Sequence, residues 1–306
     1  MAELLIVTHE ACLGHDMGEG HPECPDRLRA VWAALGDWPR EEAPLATLEQ
    51  LVRVHPAEYV EAILAIRPAG DERFALDGDT LMSAGSAEAA LRAAGAGVRA
   101  VEAVLGARGA KLARAAFCAT RPPGHHAEPA HAMGFCLFSN VVVAARHAQA
   151  ACGVARVAIL DFDVHHGNGT QACVEADGSI LFLSSHQMPC YPGTGAAAET
   201  GVGNVVNMPL RPGAGGEAFR AVWEAALPRV TAFDPGLIII SAGFDAHARD
   251  PLAQLRLHEV DFAWVTRAIL AAAPGVPVVS MLEGGYDLQA LEASVAVHLN
   301  ALGDIT

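Results

Sequence analysis

The chain has 306 residues, of which 52% are hydrophobic and 18% are charged. A chain of this length and composition can bury a sizeable core, which excludes long disordered stretches. Its formal net charge of -15 disfavours direct binding to nucleic acid, because such binding requires a basic surface. The acidic balance is compatible with a cationic substrate, although a solubilising surface is the more ordinary explanation.

The cysteines and the N-terminus indicate the cellular compartment. The seven cysteines are odd in number and no two of them form a C-x-x-C pair, which favours reduced thiols and a cytosolic setting. The first nine residues lack a basic region and are typical of a strand rather than of a signal peptide. No apolar run approaches the ~20 residues that a membrane span needs. We therefore predict a cytoplasmic protein with no membrane partner, and nothing in the sequence specifies an oligomeric state.

Short apolar runs alternate with longer alanine-rich stretches along the chain. In chain order, the apolar runs predict strands at 4–9, 115–120, 157–164, 180–185, 205–210, 237–243 and 278–282. The alanine-rich stretches predict helices at 86–105, 140–151, 216–231, 258–272 and 288–302. Several strands are apolar throughout, which is typical of a parallel sheet covered by helices on both faces. The pattern predicts one α/β domain with a mainly parallel sheet, and the proline-rich segment 14–79 is predicted to form loops and short helices at the sheet's edge.

Polar residues gather where the predicted strand 157–164 ends. Asp161, Asp163 and His165 alternate along the chain, so on extended backbone their side chains share one face. In open parallel sheets, ligands bind beyond the carboxyl ends of the strands. Two carboxylates beside an imidazole are costly in a core unless a cation is present, and Asp and His are accepted zinc ligands. The group therefore predicts a metal site, with capping of the next helix as the simpler alternative.

A second polar group follows the predicted strand 237–243. Asp245, His247 and Asp250 each offer a ligand atom, so this group can supply a third metal ligand. Taken alone, the Asp250-Pro251 pair is more typical of a simple turn. The residues themselves leave the identity of the third ligand open.

Two further groups suit acid–base chemistry and carbonyl polarisation. His125 and His126 occupy a Pro-Gly turn after the predicted strand 115–120, and histidines titrate near neutral pH. An isolated pair of this kind is more often a surface feature or a stray metal site. Tyr286 follows two glycines that let the backbone turn and present its side chain, whereas a tyrosine hydrogen-bonded within the core is the alternative.

Further motifs occur between these groups. GHPECPDR stands at 20–27, MGFC at 133–136 and YPGTG at 191–195. Taken with the four polar groups, in this order, they resemble the histone deacetylase family of the arginase–deacetylase fold. Asn168, where an aspartate is the alternative, is most similar to the class II branch and its bacterial relatives. The resemblance implies a single histone-deacetylase-like catalytic domain over residues 1–306.

The resemblance also implies roles for individual residues. One catalytic zinc ion would be bound by Asp163, His165 and Asp250. The catalytic residues would be His125 and His126, oriented by Asp161 and Asn168, with Tyr286 polarising the substrate carbonyl. A structural potassium ion would be bound by the side chains of Asp161 and Ser184 and by the backbone carbonyls of Asp163, His165 and Ser185. The substrate tunnel would be formed by Gly134, Phe135, Tyr191 and Leu252.

These roles predict a zinc-dependent amidohydrolase that removes acetyl, or another short acyl group, from an N-acyl-lysine side chain in a peptide or protein. A two-manganese, arginase-like site is disfavoured because position 167 is glycine, where that site needs a carboxylate. Acetylpolyamines and other small acylated amines remain alternative substrates, although the apolar Leu252 gives a second ammonium group no partner. A non-catalytic protein that binds acylated ligands is the alternative from another class.

Overall fold

A parallel sheet of eight strands lies at the centre of the computed structural model, which describes residues 2–106 and 110–304. The described residues form ten strands in two sheets, and in chain order these strands are β1 (Ala2–Thr8), β2 (Arg40–Glu42), β3 (Phe74–Ala75), β4 (Leu81–Met82), β5 (Ala113–Ala119), β6 (Val157–Asp161), β7 (Ile180–Gln187), β8 (Val205–Leu210), β9 (Leu237–Ala242) and β10 (Val278–Leu282). The order across the sheet is β2-β1-β5-β10-β9-β6-β7-β8, and β3 and β4 form a separate antiparallel pair.

Helices cover both faces of the sheet. They are α1 (Pro25–Ala34), α2 (Leu48–Leu51), α3 (Ala57–Ala65), α4 (Ser86–Leu105), α5 (Asn140–Cys152), α6 (Asn168–Val174), α7 (Gly216–Phe233), α8 (Glu259–Ala272) and α9 (Leu288–Gly303), with a short 3₁₀ helix at Glu10–Gly14. None of the described helices combines the length and the apolar character that crossing a membrane requires.

The strands bury alternate side chains in two separate cores. Ile238 and Ile240 of β9 pack into the core that contains residues of α1, α7, α8 and α9. Ile239 points the other way, into the core that contains residues of α4 and α5. Each of these isoleucines is fully buried, which stabilises the fold by about 1.5–3 kcal/mol per side chain. Burial on two sides explains why the strand is apolar throughout, and the predicted single α/β domain with a parallel sheet is confirmed.

The predicted strands and helices all occur, with ends displaced by a few residues at most. The largest displacement is at β6, which was predicted to reach residue 164 but ends at Asp161. The N–H of Phe162 still donates to the carbonyl of Ser241, whereas the N–H of Asp163 donates to Oδ1 of Asp161, so the chain leaves the sheet there. The segment 14–79 contains the expected short helices, together with the edge strand β2, which the sequence did not predict.

The strand order brings several loops together at one edge of the sheet. β5, β10, β9 and β6 are neighbours and run parallel, so their carboxyl ends open on the same side. The segments that follow these four strands carry His125, Tyr286, Asp245 and Asp163 respectively. This edge is therefore the expected location of a ligand site in an open parallel sheet.

Candidate metal centre and active-site pocket

Two carboxylates and one imidazole converge beyond the ends of β6 and β9. The Nδ1 atom of His165 lies 3.1 Å from Oδ1 of Asp163 and 3.1 Å from Oδ2 of Asp245. All three side chains are buried, and one ligand atom of each lies within 4.8 Å of the others. Two buried carboxylates at this spacing are unfavourable unless a cation shares the site. The donor set fits a divalent metal such as zinc and leaves coordination positions open for water and substrate.

The surrounding backbone holds the two carboxylates in place. Gly284 donates its N–H to Oδ2 of Asp163 over 2.8 Å, and Val164 donates its N–H to Oδ1 of Asp245 over 2.8 Å. A Cβ atom at Gly284 would overlap Oδ2 of Asp245, so only glycine allows the backbone to come this close. The sequence motif with two glycines before the tyrosine therefore has a packing role at the metal-binding group.

The third predicted ligand, Asp250, is not a member of this group of three, and its assignment as a metal ligand stays a prediction. The carboxylate of Asp250 accepts two backbone hydrogen bonds, from the N–H of Leu252 at 3.0 Å and from the N–H of Tyr286 at 2.7 Å. One bond to each oxygen leaves lone pairs on both, so these contacts are compatible with a metal ligand as well as with a simple Asp-Pro turn. The geometry therefore adds Asp245 as a second candidate for the third ligand.

A second group of ligand-type residues lies outside the pocket. His247, His258 and Glu259 bring one ligand atom each within 4.8 Å of one another. However, Nδ1 of His247 accepts the N–H of Arg249 over 3.1 Å, so Nε2 of the neutral ring carries the hydrogen and has no lone pair for a metal. Nε2 lies 3.6 Å from Oε1 of Glu259. Within the part of the chain that the structure describes, the buried group is therefore the better metal site.

The two adjacent histidines have different polar partners. Nδ1 of His125 lies 3.0 Å from Oδ2 of Asp161, and Nδ1 of His126 lies 2.7 Å from Oδ1 of Asn168. Burial lowers the pKa of His125, but the charges of Asp163 and Asp161 outweigh it and raise the pKa to about 10. Burial holds the pKa of His126 well below its usual range, and the charge of His125 acts in the same direction. The structure thus brings together both orienting pairs as predicted, one histidine beside a carboxylate and one beside a neutral amide.

A pocket of about 200 Å³ opens at the metal-binding group. It is lined by Asp79, His126, Gly134, Phe135, His165, Tyr191, Leu252 and Tyr286. All four residues predicted for the substrate tunnel are among them. Phe135 has a φ of 69°, which is uncommon for an aromatic residue, and its N–H donates to Oγ1 of Thr80 over 3.0 Å. The wall of the pocket is therefore held in a strained backbone conformation by a specific hydrogen bond.

Tyr286 is supported from both sides of its loop. Its N–H donates to Asp250, as described above. On the other side, the guanidinium group of Arg27 lies 4.7 Å from the centroid of the Tyr286 ring. Arg27 also donates to the backbone carbonyls of Glu283 and Gly285, each over 2.6 Å. Tyr286 is therefore held by a carboxyl group at its backbone and by a cation over its ring.

Comparison with known proteins identifies the family of the chain. The sequence profile described as the histone deacetylase domain matches residues 21–302. The chain belongs to the histone deacetylase family. It is 42% identical to the histone deacetylase-like amidohydrolase of Pseudomonas aeruginosa, over 87% of this chain and 73% of that protein. It is 40% identical to the chloroplastic histone deacetylase 14 of Arabidopsis thaliana, over 97% and 76% of the two chains. A crystal structure of the HDA15 HD domain matches with a TM-score of 0.92 at 37% identity, covering 100% of this chain and 90% of that one.

In this histone deacetylase family member, a buried network of charges supports the tyrosine loop, and the sequence analysis did not predict it. The fully buried Glu23 pairs with both Arg27 and Arg121. Burial raises the pKa of Glu23, but the charge of Arg121 outweighs it and holds the pKa well below the usual range. Arg121 also donates to the carbonyls of Cys12 and His15. Glu23 and Arg27 belong to the GHPECPDR motif, so that motif was the available signal.

A second buried carboxylate, also missed, supports the histidine turn. Oε2 of Glu283 accepts the N–H groups of Gly124 and His125 at 2.6 and 3.1 Å, and Oε1 accepts the hydroxyl of Ser241 at 3.0 Å. Burial raises the pKa of Glu283 to about 7, although the positive charge of His125 acts in the opposite direction. The signal in the sequence was an acidic residue at the end of an apolar strand.

The predicted side-chain ligands for potassium in this family member lie on neighbouring strands. Asp161 of β6 and Ser184 of β7 are partners in the parallel register, and both are fully buried. Oγ of Ser185 accepts the indole N–H of Trp223 over 3.0 Å, which agrees with an expected contribution from its backbone alone. Two buried oxygen-bearing side chains in register fit an oxygen-coordinated cation, and potassium binding stays a prediction.

Proposed function

We propose that the protein is a zinc-dependent deacetylase that hydrolyses the amide bond of an N-acyl-lysine side chain. The observation that carries the proposal is the convergence of a metal-ligand group, a histidine pair and a tyrosine at one narrow pocket. Each of these groups has a role in amide hydrolysis, whereas a protein that only binds its ligand has no need of all three. The family membership, and relatives named as deacetylases and an amidohydrolase, support the hydrolase class.

The metal would be held by Asp163, His165 and a third carboxylate, which is Asp250 if the resemblance holds or Asp245 if the grouping of ligand atoms decides. A zinc ion bound there supplies Lewis acidity toward the amide oxygen and lowers the pKa of water. The two carboxylates are hard ligands, so the same donor set also suits iron(II) or cobalt. Asp163 and His165 are common to both ligand sets, which differ only in the third carboxylate.

The chain's own groups would move the protons. Nδ1 of His126 is engaged by Asn168, so Nε2 remains to accept the proton of the attacking water as the new C–O bond forms. The hydroxyl of Tyr286 would donate a hydrogen bond to the developing oxyanion. When the C–N bond breaks, the departing amine takes a proton from the histidine pair, with the pKa of His125 raised by the charges of Asp163 and Asp161. The products are a carboxylate and a free amine.

The walls of the pocket favour a straight aliphatic chain. Phe135 and Tyr191 present aromatic rings to it, and Leu252 adds an apolar side chain. The methylene stem of an acyl-lysine would be desolvated between these groups at little cost. Asp79 also lines the pocket and could pair with a second ammonium group, which is the one observation that favours an acetylpolyamine as the alternative substrate.

The test compares turnover of an acetyl-lysine peptide, acetylputrescine and acetylspermidine by the zinc-loaded protein. We expect the highest kcat/KM for the peptide, loss of activity on chelation and recovery on adding zinc. Asp163→Asn should not recover. A protein that binds the peptide but releases no acetate with zinc present would be an acyl-ligand-binding protein. A higher kcat/KM for either polyamine would move the assignment to that substrate.

A further inference from the structure

We propose that Glu128 is a positioning residue that selects the catalytically competent tautomer of His126 by fixing the orientation of the Asn168 amide. The inference rests on the proposed function, in which Nε2 of His126 accepts a proton. It concerns a residue outside the histidine turn and the metal-binding group. Glu128 follows the turn by two residues and is only partly buried.

The three side chains form a linear relay. Nδ2 of Asn168 donates to Oε1 of Glu128 over 2.9 Å. Oδ1 of Asn168 lies 2.7 Å from Nδ1 of His126. A carboxylate without a proton accepts hydrogen bonds and cannot donate, so the NH2 end of the amide must face Glu128 and the oxygen must face His126. Since that oxygen can only accept, Nδ1 of His126 carries the hydrogen and Nε2 keeps its lone pair.

Without the carboxylate, the amide would lose its orientation. An asparagine side chain turned by 180° would present its NH2 group to His126. Nδ1 would then become the acceptor and Nε2 would carry the hydrogen, so the imidazole could not accept a proton at the pocket. Among the described residues, the other acceptor bonded to the Asn168 NH2 group is Sδ of Met133 at 3.3 Å, and a thioether is a weak acceptor.

Backbone packing keeps the relay in line. The chain from His126 to Glu128 packs directly against the start of α6, where a Cβ atom at Gly169 would overlap the carbonyl of Ala127. The N–H of Thr170 also donates to the carbonyl of His125 in the histidine turn over 3.1 Å. The three side chains of the relay therefore come from two segments that are fixed to each other, and the carboxylate does not need to order a mobile loop.

A similar relay elsewhere supplies the matched control. Nε2 of Gln171 donates to Glu199 over 2.9 Å, and Oε1 of the same amide lies 3.0 Å from Nε2 of His166. This relay has the same chemistry, but its histidine is not among the residues that line the pocket. Glu199→Ala therefore removes the carboxylate of this relay, together with its bonds to the N–H groups of Gly195 and Ala196, without touching the proposed base.

The experiment measures kinetics and tautomers in Glu128→Ala, Glu128→Gln and Glu199→Ala. We expect Glu128→Ala to lower kcat by about 10- to 100-fold with little change in KM or metal content, because loss of a supporting partner typically has an effect of this size. Glu128→Gln should recover most of the loss, since its amide oxygen still accepts from Asn168. Glu199→Ala should keep a kcat close to that of the wild type.

The tautomer is read from long-range ¹H–¹⁵N spectra of protein labelled at histidine, with the His126 signals identified by their absence in His126→Gln. Wild type and Glu128→Gln should show the hydrogen on Nδ1, whereas Glu128→Ala should show a population with the hydrogen on Nε2. An unchanged tautomer in Glu128→Ala, or an unchanged kcat, would overturn the proposal. The spectra need no substrate, so an inactive wild-type protein would count against the proposed function and not against the relay.

Discussion

Replacing Asp245 or Asp250 by asparagine tests which carboxylate is the third metal ligand. Asp245→Asn removes one of the three grouped ligand atoms and leaves a weak amide ligand in its place. Partners outside the ligand shell already contribute about 10- to 100-fold to metal affinity, so loss of a ligand should cost more than about 100-fold. Asp250 is not a member of the group, so the grouping predicts that Asp250→Asn retains the metal, whereas the resemblance predicts that it loses the metal.

The effect of Asp250→Asn follows from its two hydrogen bonds. Its oxygens accept the N–H groups of Leu252 at 3.0 Å and Tyr286 at 2.7 Å. An asparagine has one oxygen, so one N–H group loses its acceptor. A hydrogen bond to a charged group contributes about 1.5–3 kcal/mol, so the free energy of unfolding should fall by about 2 kcal/mol. If the tyrosine loop loosens, kcat should fall by about tenfold or more, since 1.36 kcal/mol at the transition state corresponds to tenfold.

The assay counts metal ions per chain after dialysis against chelators of increasing strength, with thermal unfolding and peptide deacetylation measured on the same samples. Asp261→Asn is the control for loss of a buried carboxylate, because Asp261 accepts the N–H of His258 and is not a member of the metal-binding group. Asp245→Asn should lose its metal at the weakest chelator and Asp250→Asn at the same strength as wild type. Equal metal loss in both variants, or retention in Asp245→Asn, would refute the assignment of Asp245.

Three further predictions test the site and the fold. Tyr286→Phe should lower kcat by about 10²–10³ with unchanged metal content, because one oxyanion donor is lost, and a variant that keeps more than about a third of the wild-type rate would show a packing role. Leu252→Glu should raise the ratio of kcat/KM for acetylspermidine over acetyl-lysine peptide, and an unchanged ratio would contradict the specificity argument. Burial lowers the pKa of His55 from 6.5 to about 4, and its Nε2 accepts the N–H of Ser139. The unfolded chain binds this proton first as pH falls, so urea unfolding should show a loss of about 2 kcal/mol between pH 7 and pH 5 from this group, and a slope in His55→Gln equal to that of wild type would refute it.

The main elements of the fold could be predicted because burial leaves a strong signal in a two-sided sheet. A strand such as β9 must be apolar at every position, and its length and flanking helices then distinguish it from a buried helix. The edge strand β2 has no such signal. Its sequence is Arg-Glu-Glu and it is largely exposed, so only its backbone pairing with β1 makes it a strand. Charged residues at an edge also discourage pairing with other chains.

The candidate site could be predicted where a motif contains one residue suited to a role. It could not be predicted where several neighbouring residues are equally suited and only the fold decides between them. Asp245, His247 and Asp250 lie within six residues, and each side chain is a competent ligand. Which of them faces a metal depends on the point at which β9 ends and on the turn that follows, and neither is readable from residue type. Buried charge pairs present the same difficulty, because Glu23 and Arg121 are separated by 98 positions in the sequence and have no periodic pattern that connects them.

The position of the tyrosine hydroxyl depends on three distant parts of the chain. Arg27 reaches the loop from α1, Asp250 reaches it from the segment after β9, and the loop itself follows β10. The arginine uses a planar group with several donors to bind two carbonyls and cover the ring, which a lysine with its single ammonium group cannot reproduce. Glu23 then neutralises the arginine within the core, at a depth where an unpaired charge would be strongly unfavourable. The buried charges near the N-terminus therefore fix the tyrosine loop, although none of them is among the residues that line the pocket.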